Sequence, residues 1–219
     1  MRKLIVSTFV SLDGIMQAPG GPEEDPTGGF ALGGWMFGYG DESMDISASG
    51  FDGKDRELVL GRRTYQIFEA YWPYQPDNHP IAKTLNAAKK YVASRTLTML
   101  HWNNSTLLQG DVVSAIIALK AQPGPDLQII GSSNLIQTLQ AASVVDEYNV
   151  WTFPVVLGRG KRLFSETAKS SGAAARSLSG FDHRRCDEYL CTRRRYPARF
   201  VPECRAEREG VGPTQKDGE

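Results

Sequence analysis

The chain has 219 residues, with 25 Lys and Arg set against 25 Asp and Glu, 41% hydrophobic and 10% aromatic content, and three cysteines. That length supports one good core and part of a second unit. Zero net charge argues against a globally basic nucleic-acid binder, the apolar content against a chain disordered throughout, and the odd cysteine count against a disulfide framework.

The N-terminus, Met1-Arg2-Lys3, leads into an apolar run broken by Ser7 and Thr8. This is unlike an export signal, and no stretch approaches the ~20 apolar residues of a membrane span. A cytoplasmic protein without a membrane partner is expected. Leu4 to Ser11 is β-branched and aromatic and ends at Asp13-Gly14, which predicts a buried strand entering a turn. Ala18 to Gly40 carries too many Gly and Pro for a regular element. A loop of that length is expected to be functional, and its aromatics Phe30, Trp35, Phe37 and Tyr39 suit a loop packed over something.

Asp41 to Gly50 reads as a helix capped by Asp41, and Glu57 to Leu60 as a short strand. Gly61 to Phe68 turns into a helix that ends near Trp72-Pro73; residues 81–90 read as a polar excursion. Strands follow at Lys89 to Ser94 and Ser105 to Leu108, then a helix from Asp111 to Lys120 opened by an Asp cap. Leu127 to Ile130 is a strand, Asn134 to Ala142 a helix, and Glu147 to Phe153 a strand stopped by Pro154. Such alternation predicts an α/β sheet with helices on both faces.

Three strand ends have a form that suits phosphate. Ile130-Gly131-Ser132-Ser133-Asn134-Leu135 delivers a strand to a small-residue turn where a helix begins, with its first N–H groups pointing outward. Gly61-Arg62-Arg63-Thr64-Tyr65 adds cations and a hydroxyl to the same form, and Ser94-Arg95-Thr96 ends another strand with a cation. Singly, a serine-rich helix start is more often a cap, and an arginine more often a solvated charge. Three together point to a ligand with several phosphates, since ligands of open α/β sheets collect at the carboxyl ends of strands.

These segments, with Ser11-Leu12-Asp13-Gly14 before them and Phe153-Pro154-Val155-Val156-Leu157-Gly158-Arg159-Gly160-Lys161-Arg162-Leu163-Phe164 after, occur in one order. Over about residues 2–165 they resemble the dihydrofolate reductase-like family. The closer likeness is to its branch related to the C-terminal reductase domain of the bacterial riboflavin-biosynthesis deaminase/reductase. The resemblance implies a central mixed, mainly parallel sheet and an NADPH-dependent oxidoreductase acting on a small heterocycle of pterin or pyrimidine type. It implies cofactor contacts from Gly61, Arg62, Thr64, Ser94, Arg95, Gly131, Ser132, Ser133 and Leu135. Asp13 and Gly14 would flank nicotinamide and substrate, and Asp45 stands at about the distance before Gly61 where dihydrofolate reductases carry their acid. Asp41, Asp52 and Asp55 compete with Asp45, and Asp13 serves equally well as a turn former. The family also implies a homodimer. Ile130 stands where the riboflavin reductases usually carry a substrate-binding Glu, which argues against the riboflavin intermediate as substrate. Competing readings are a flavin- or nucleotide-binding module and an inactive or binding-only product. His79, His101 and His183 have no metal-like spacing.

Residues 166–219 differ in kind from residues 1–165. They hold all three cysteines, Cys186, Cys191 and Cys204, and nine of the sixteen arginines, while all four tryptophans precede them. This tail reads either as a disordered basic appendage or, preferred here, as the product of a reading-frame shift near residue 166. Read one base later from Cys186 with a permitted choice of codons, it gives Ala-Met-Ser-Thr-Tyr-Val-Pro-Gly-Gly-Asp-Ile-Pro-Leu-Gly-Ser-Phe, which resembles the closing strand and terminus of the family. The nucleotide sequence of the gene tests this directly: the shifted frame should encode that peptide, and codons incompatible with it dispose of the shift.

Overall fold

The computed structural model describes residues 1–39, 55–166 and 168. The expected helix from Asp41 to Gly50, and the tail beyond residue 168, lie outside them. Among the described residues six strands form one sheet in the order β4-β3-β2-β5-β1-β6, and every pairing between them is parallel. The strands are β1 (Leu4–Ser11), β2 (Glu57–Gly61), β3 (Lys90–Ala93), β4 (Ser105–Leu107), β5 (Leu127–Ile129) and β6 (Glu147–Phe153). The helices are α1 (Arg62–Glu69), α2 (Pro80–Ala87), α3 (Val112–Ala121) and α4 (Ser133–Ala141).

β1 is a near-continuous buried run, as expected of a strand covered on both faces. Alternate residues separate the two layers. Leu4, Val6, Val59 and Ile129 face a core with Ile116 and Leu119 of α3 and Leu135, Ile136 and Leu139 of α4. On the other face, Leu58, Leu60 and Val92 pack against Tyr65 of α1, Leu85 of α2 and Trp102. The expected α/β layering, with helices on both faces, is therefore present.

The polar excursion read at 81–90 is instead α2. Pro80 supplies a fixed φ at the helix start, and the His79 side chain accepts from the Ala82 amide at 3.4 Å. Only Ala82 and Leu85 are buried on this helix, too short an apolar stripe to register as periodicity. The Asp cap of α3 is as expected, Asp111 accepting from both the amide and the hydroxyl of Ser114 at 2.8 Å. Lys90 is fully buried inside β3, an inward cation that the strand pattern did not announce. Its ammonium donates to the carbonyls of Asn86, Ala88 and Asn103 and lies 4.3 Å from the Trp102 ring; burial lowers its pKa to about 8.

The glycine-rich segment after β1 packs where β1 and β6 turn their second face. Phe30 and Trp35 are buried with Ile15, Ala18, Phe153 and Leu157, and Trp35 meets Phe153 edge to face at 5.5 Å. The Trp35 indole N–H donates to the Gln17 carbonyl at 2.8 Å. Gln17 in turn donates to the carbonyls of Asp25 and Thr27, each at 2.9 Å, and accepts from the Lys161 amide at 3.0 Å. Phe37 remains exposed, so of the loop aromatics expected to pack, Phe30 and Trp35 do so.

Chain direction places the site. β2 sends the chain through α1 toward β3, whereas β5, its neighbour, sends it through α4 toward the opposite edge. Adjacent parallel strands that lead away in opposite directions leave a crevice at their carboxyl ends, here after Gly61 and Ile129. If Trp35 anchors the loop as described, Trp35→Ala should cost about 3 kcal/mol of unfolding free energy, read as a lower urea midpoint; a loss under about 0.5 kcal/mol would contradict that anchoring.

Candidate active site

The crevice floor is made by the two turns at the ends of β2 and β5, and they touch. The Gly61 amide donates to the Gly131 carbonyl at 3.3 Å, and the Thr64 and Ser132 hydroxyls stand 3.1 Å apart. A Cβ on Gly131 would lie 2.5 Å from Thr64 Oγ1, and one on Gly61 would collide with Ser132 Oγ. The glycines are therefore needed for turn-to-turn contact. The space a side chain would occupy at those Cα atoms is filled by the neighbouring hydroxyls. The Gly131–Ser132 peptide is cis.

Neither N-cap residue, Gly61 of α1 or Ser132 of α4, caps its own helix with a side chain. Gly61 has none to offer, and Ser132 turns its hydroxyl toward Thr64, whose amide lies 3.5 Å away. Two helix starts thus lie side by side with their N–H ends toward the crevice, a favourable arrangement for anionic groups. Thr64, Gly131, Ser132 and Ser133 of the sequence-derived set are brought together here. Leu135 is buried in the core, so only its backbone is available to a ligand at this helix start.

Arg62 and Arg63 diverge. Arg62 is exposed and reaches the β3 turn, its Nη1 3.1 Å from Thr96 Oγ1. Ser94 shapes that turn by accepting from the amides of Thr96 and Leu97 at 3.1 and 2.9 Å, and Arg95 beside it is exposed. Arg63 points the other way, to the glycine-rich loop, where its Nε lies 3.3 Å from Asp25.

Asp25 is almost wholly buried and had no sign in the sequence beyond being one acid among three in a Gly/Pro segment. Besides Arg63 it accepts from the Lys161 ammonium and the Thr27 hydroxyl, each at 2.6 Å. Burial alone would raise its pKa, but the Lys161 and Thr27 bonds outweigh it and hold the carboxyl below its ordinary value. Neighbouring Glu24 is raised, mainly by burial.

Asp13 ties β1 to the segment after β6. It accepts from the Ser11 hydroxyl at 2.6 Å and from the amides of Leu157 and Gly158 at 3.1 and 2.8 Å, while Arg162 donates to its carbonyl. Burial raises its pKa, yet the Ser11, Leu157 and Gly158 hydrogen bonds prevail and the net shift is downward. Gly14, at φ 79°, completes the turn. β1 runs five residues beyond the Val6–Ile129 pairing, so at ~3.3 Å per residue its end and β6 stand as a wall above the crevice floor. Ile130 packs against the core beside α1, so its apolar side chain serves packing at the place where the resemblance led one to look for a Glu. Asp45, Asp41 and Asp52 lie outside the described residues; Asp55 is exposed. Among the described residues no group of three His, Cys, Asp or Glu is placed to hold a metal, and no helix is long and apolar enough to cross a membrane.

Comparison with known families settles the lineage of this arrangement: the RibD C-terminal domain matches residues 2–190. The chain belongs to the RibD C-terminal domain family. The match runs past residue 165, where the composition changes. This RibD C-terminal domain is 28% identical over 166 residues to the uncharacterized protein YyaP of Bacillus subtilis, covering 74% of this chain and 80% of that protein. It is 26% identical over 168 residues to the uncharacterized protein YwjB of the same organism, covering 75% and 84%. Among solved structures, a putative riboflavin biosynthesis protein from Shewanella sp. PV-4 shares the fold at TM-score 0.50 and 23% identity, covering 78% of this chain and 86% of that one.

The Asp13 tether has a pH signature. A carboxyl held below its ordinary value of 3.8 contributes stability that is fully present above that value and is lost as pH falls through the lower folded-state value. Asp13→Asn should therefore lower the urea midpoint at pH 7, with the gap to wild type closing as pH drops below 3.8; a gap of constant size down to full protonation would contradict the role.

Proposed function

We infer that this RibD C-terminal domain is an NADPH-dependent oxidoreductase of a small heterocyclic substrate of the pterin or pyrimidine type. The observation that carries the reading is the contact between the Gly61 and Gly131 turns, which sets two helix starts side by side at the sheet's switch point, neither capped by its own N-cap residue. A diphosphate matches such a pair in charge and donor set, and Arg62 with Arg95 adds cations on the side of β3 where a further phosphate would lie. The fit is thus one of donor type and placement.

When bound, NADPH supplies the hydride. The chain's own part is to hold the two phosphates, orient the rings and exclude water. The wall formed by β1, β6 and the Trp35-anchored loop serves the last of these roles. Asp13 acts as a positioning residue: ionised and saturated with donors, it keeps the wall's turns together. The proton that must accompany hydride is assigned to Asp45 by its distance before Gly61 in the chain, and Asp45→Asn should depress turnover while leaving NADPH affinity in place.

Isothermal titration of the full chain with NADPH is the test. Micromolar affinity that weakens at least about tenfold in Arg62→Ala, the effect of losing a charge-assisted bond, supports the reductase; absence of heat at millimolar NADPH overturns it.

A further inference from the structure

Charge is nearly missing from one side of the molecule. Residues 96–145 contain three charged side chains in 50 positions, against 23% over the whole chain. All three are committed to contacts within the fold. Asp111 caps α3 through Ser114, and Asp126 accepts from the Lys3 amide at 2.7 Å. Lys120, the one cation of α3, is turned inward to the Val144 carbonyl and Asp146 and is 8% exposed.

The two helices in this run, α3 and α4, cover the same face of the sheet. A helix laid on a core from one side ordinarily turns charged residues to water. Here the outward stripe of α3 is Ser114, Ile117, Ala118 and Ala121, and that of α4 includes Asn134 and Thr138, with no charge on either. Ile117 stands in the middle of α3 and is 50% exposed, whereas its neighbour Ile116 is fully buried. A single exposed isoleucine is ordinary; two helices on one face whose outer sides are both free of charge are not. Depletion of charge around an apolar centre is the composition of a protein–protein interface core.

The missing charge also selects the partner. A different protein is steered and held in register by complementary charge, and this face offers none to be matched. A second copy needs none, because across a two-fold axis the surface meets itself and any charge on it would face its own like. The amide of Asn134 and the hydroxyls of Thr138 and Ser114 suit such self-pairing, each being both donor and acceptor. We propose that the outer face of α3 and α4 is the docking surface for a second copy of this chain, centred on Ile117. This goes beyond the homodimer implied by the resemblance, to which no surface is attached. It is independent of the reductase reading, since the face lies across the sheet from α1 and α2.

Sedimentation velocity of the full chain over about 1–100 μM tests it. The wild type should sediment as a dimer. Ile117→Glu and Ala118→Arg, which place a charge where the copies meet, should each weaken dimerisation at least about tenfold. Lys83→Glu, a charge reversal at an exposed position of α2 across the sheet, should leave it within about twofold. Circular dichroism separates loss of pairing from loss of fold, and two charge variants at exposed positions keep the test open should one misfold. A wild-type monomer throughout that range, an unchanged dissociation constant in either folded charge variant, or an equal loss in Lys83→Glu would each overturn the proposal.

Discussion

Two backbone turns serve one ligand only when they come close enough for a single group to span them, and that closeness is limited by Cβ atoms. At the ends of β2 and β5 both turns begin with glycine, and the vacated space is filled from across the gap by the Thr64 and Ser132 hydroxyls. With Ser132 committed to that contact, α4 loses the side-chain cap its sequence offers. The missing cap of α4 and the proximity of the two helix starts therefore have one cause. Beside this contact, Arg62 is carried to the β3 side and Arg63 to the loop side.

A charge arrangement of the opposite kind governs the wall. Asp13 and Asp25 are both held ionised, but Asp13 accepts from neutral amides and a hydroxyl, whereas Asp25 is met by cations. The first is a tether built from uncharged donors, the second a hub that joins Arg63 and Lys161. The two carboxylates thus differ in the kind of donor that holds them, although both lie in the loop segments that follow β1.

Most of the fold was legible because its signals are local. The β-branched run of β1, the Asp111 cap and the Gly-terminated strands each carry their structure within a few residues, and the strand–helix alternation fixes the layering. α2 was not legible because two buried residues over eight make no clear stripe, and Lys90 was not because a lysine inside a strand reads as an outward cation. Of the site, the three strand ends could be found from their form alone. The partners of Arg63 could not, since Asp25 and Lys161 are separated from it by 38 and 98 positions and meet it only through the packing of the glycine-rich loop. Small residues at Gly61 and Gly131 suit both ligand approach and turn-to-turn contact, and the turn-to-turn contact becomes visible only in the geometry.

The central claim is that the Gly61 and Gly131 turns act as one site. Backbone amide signals of Arg62, Arg63, Ser133, Asn134 and Leu135, followed by nuclear magnetic resonance during NADPH titration of the full chain, test it most directly. All five should shift with a single dissociation constant as the phosphates engage both helix starts. Shifts confined to one turn, or two sets titrating with different constants, would contradict it.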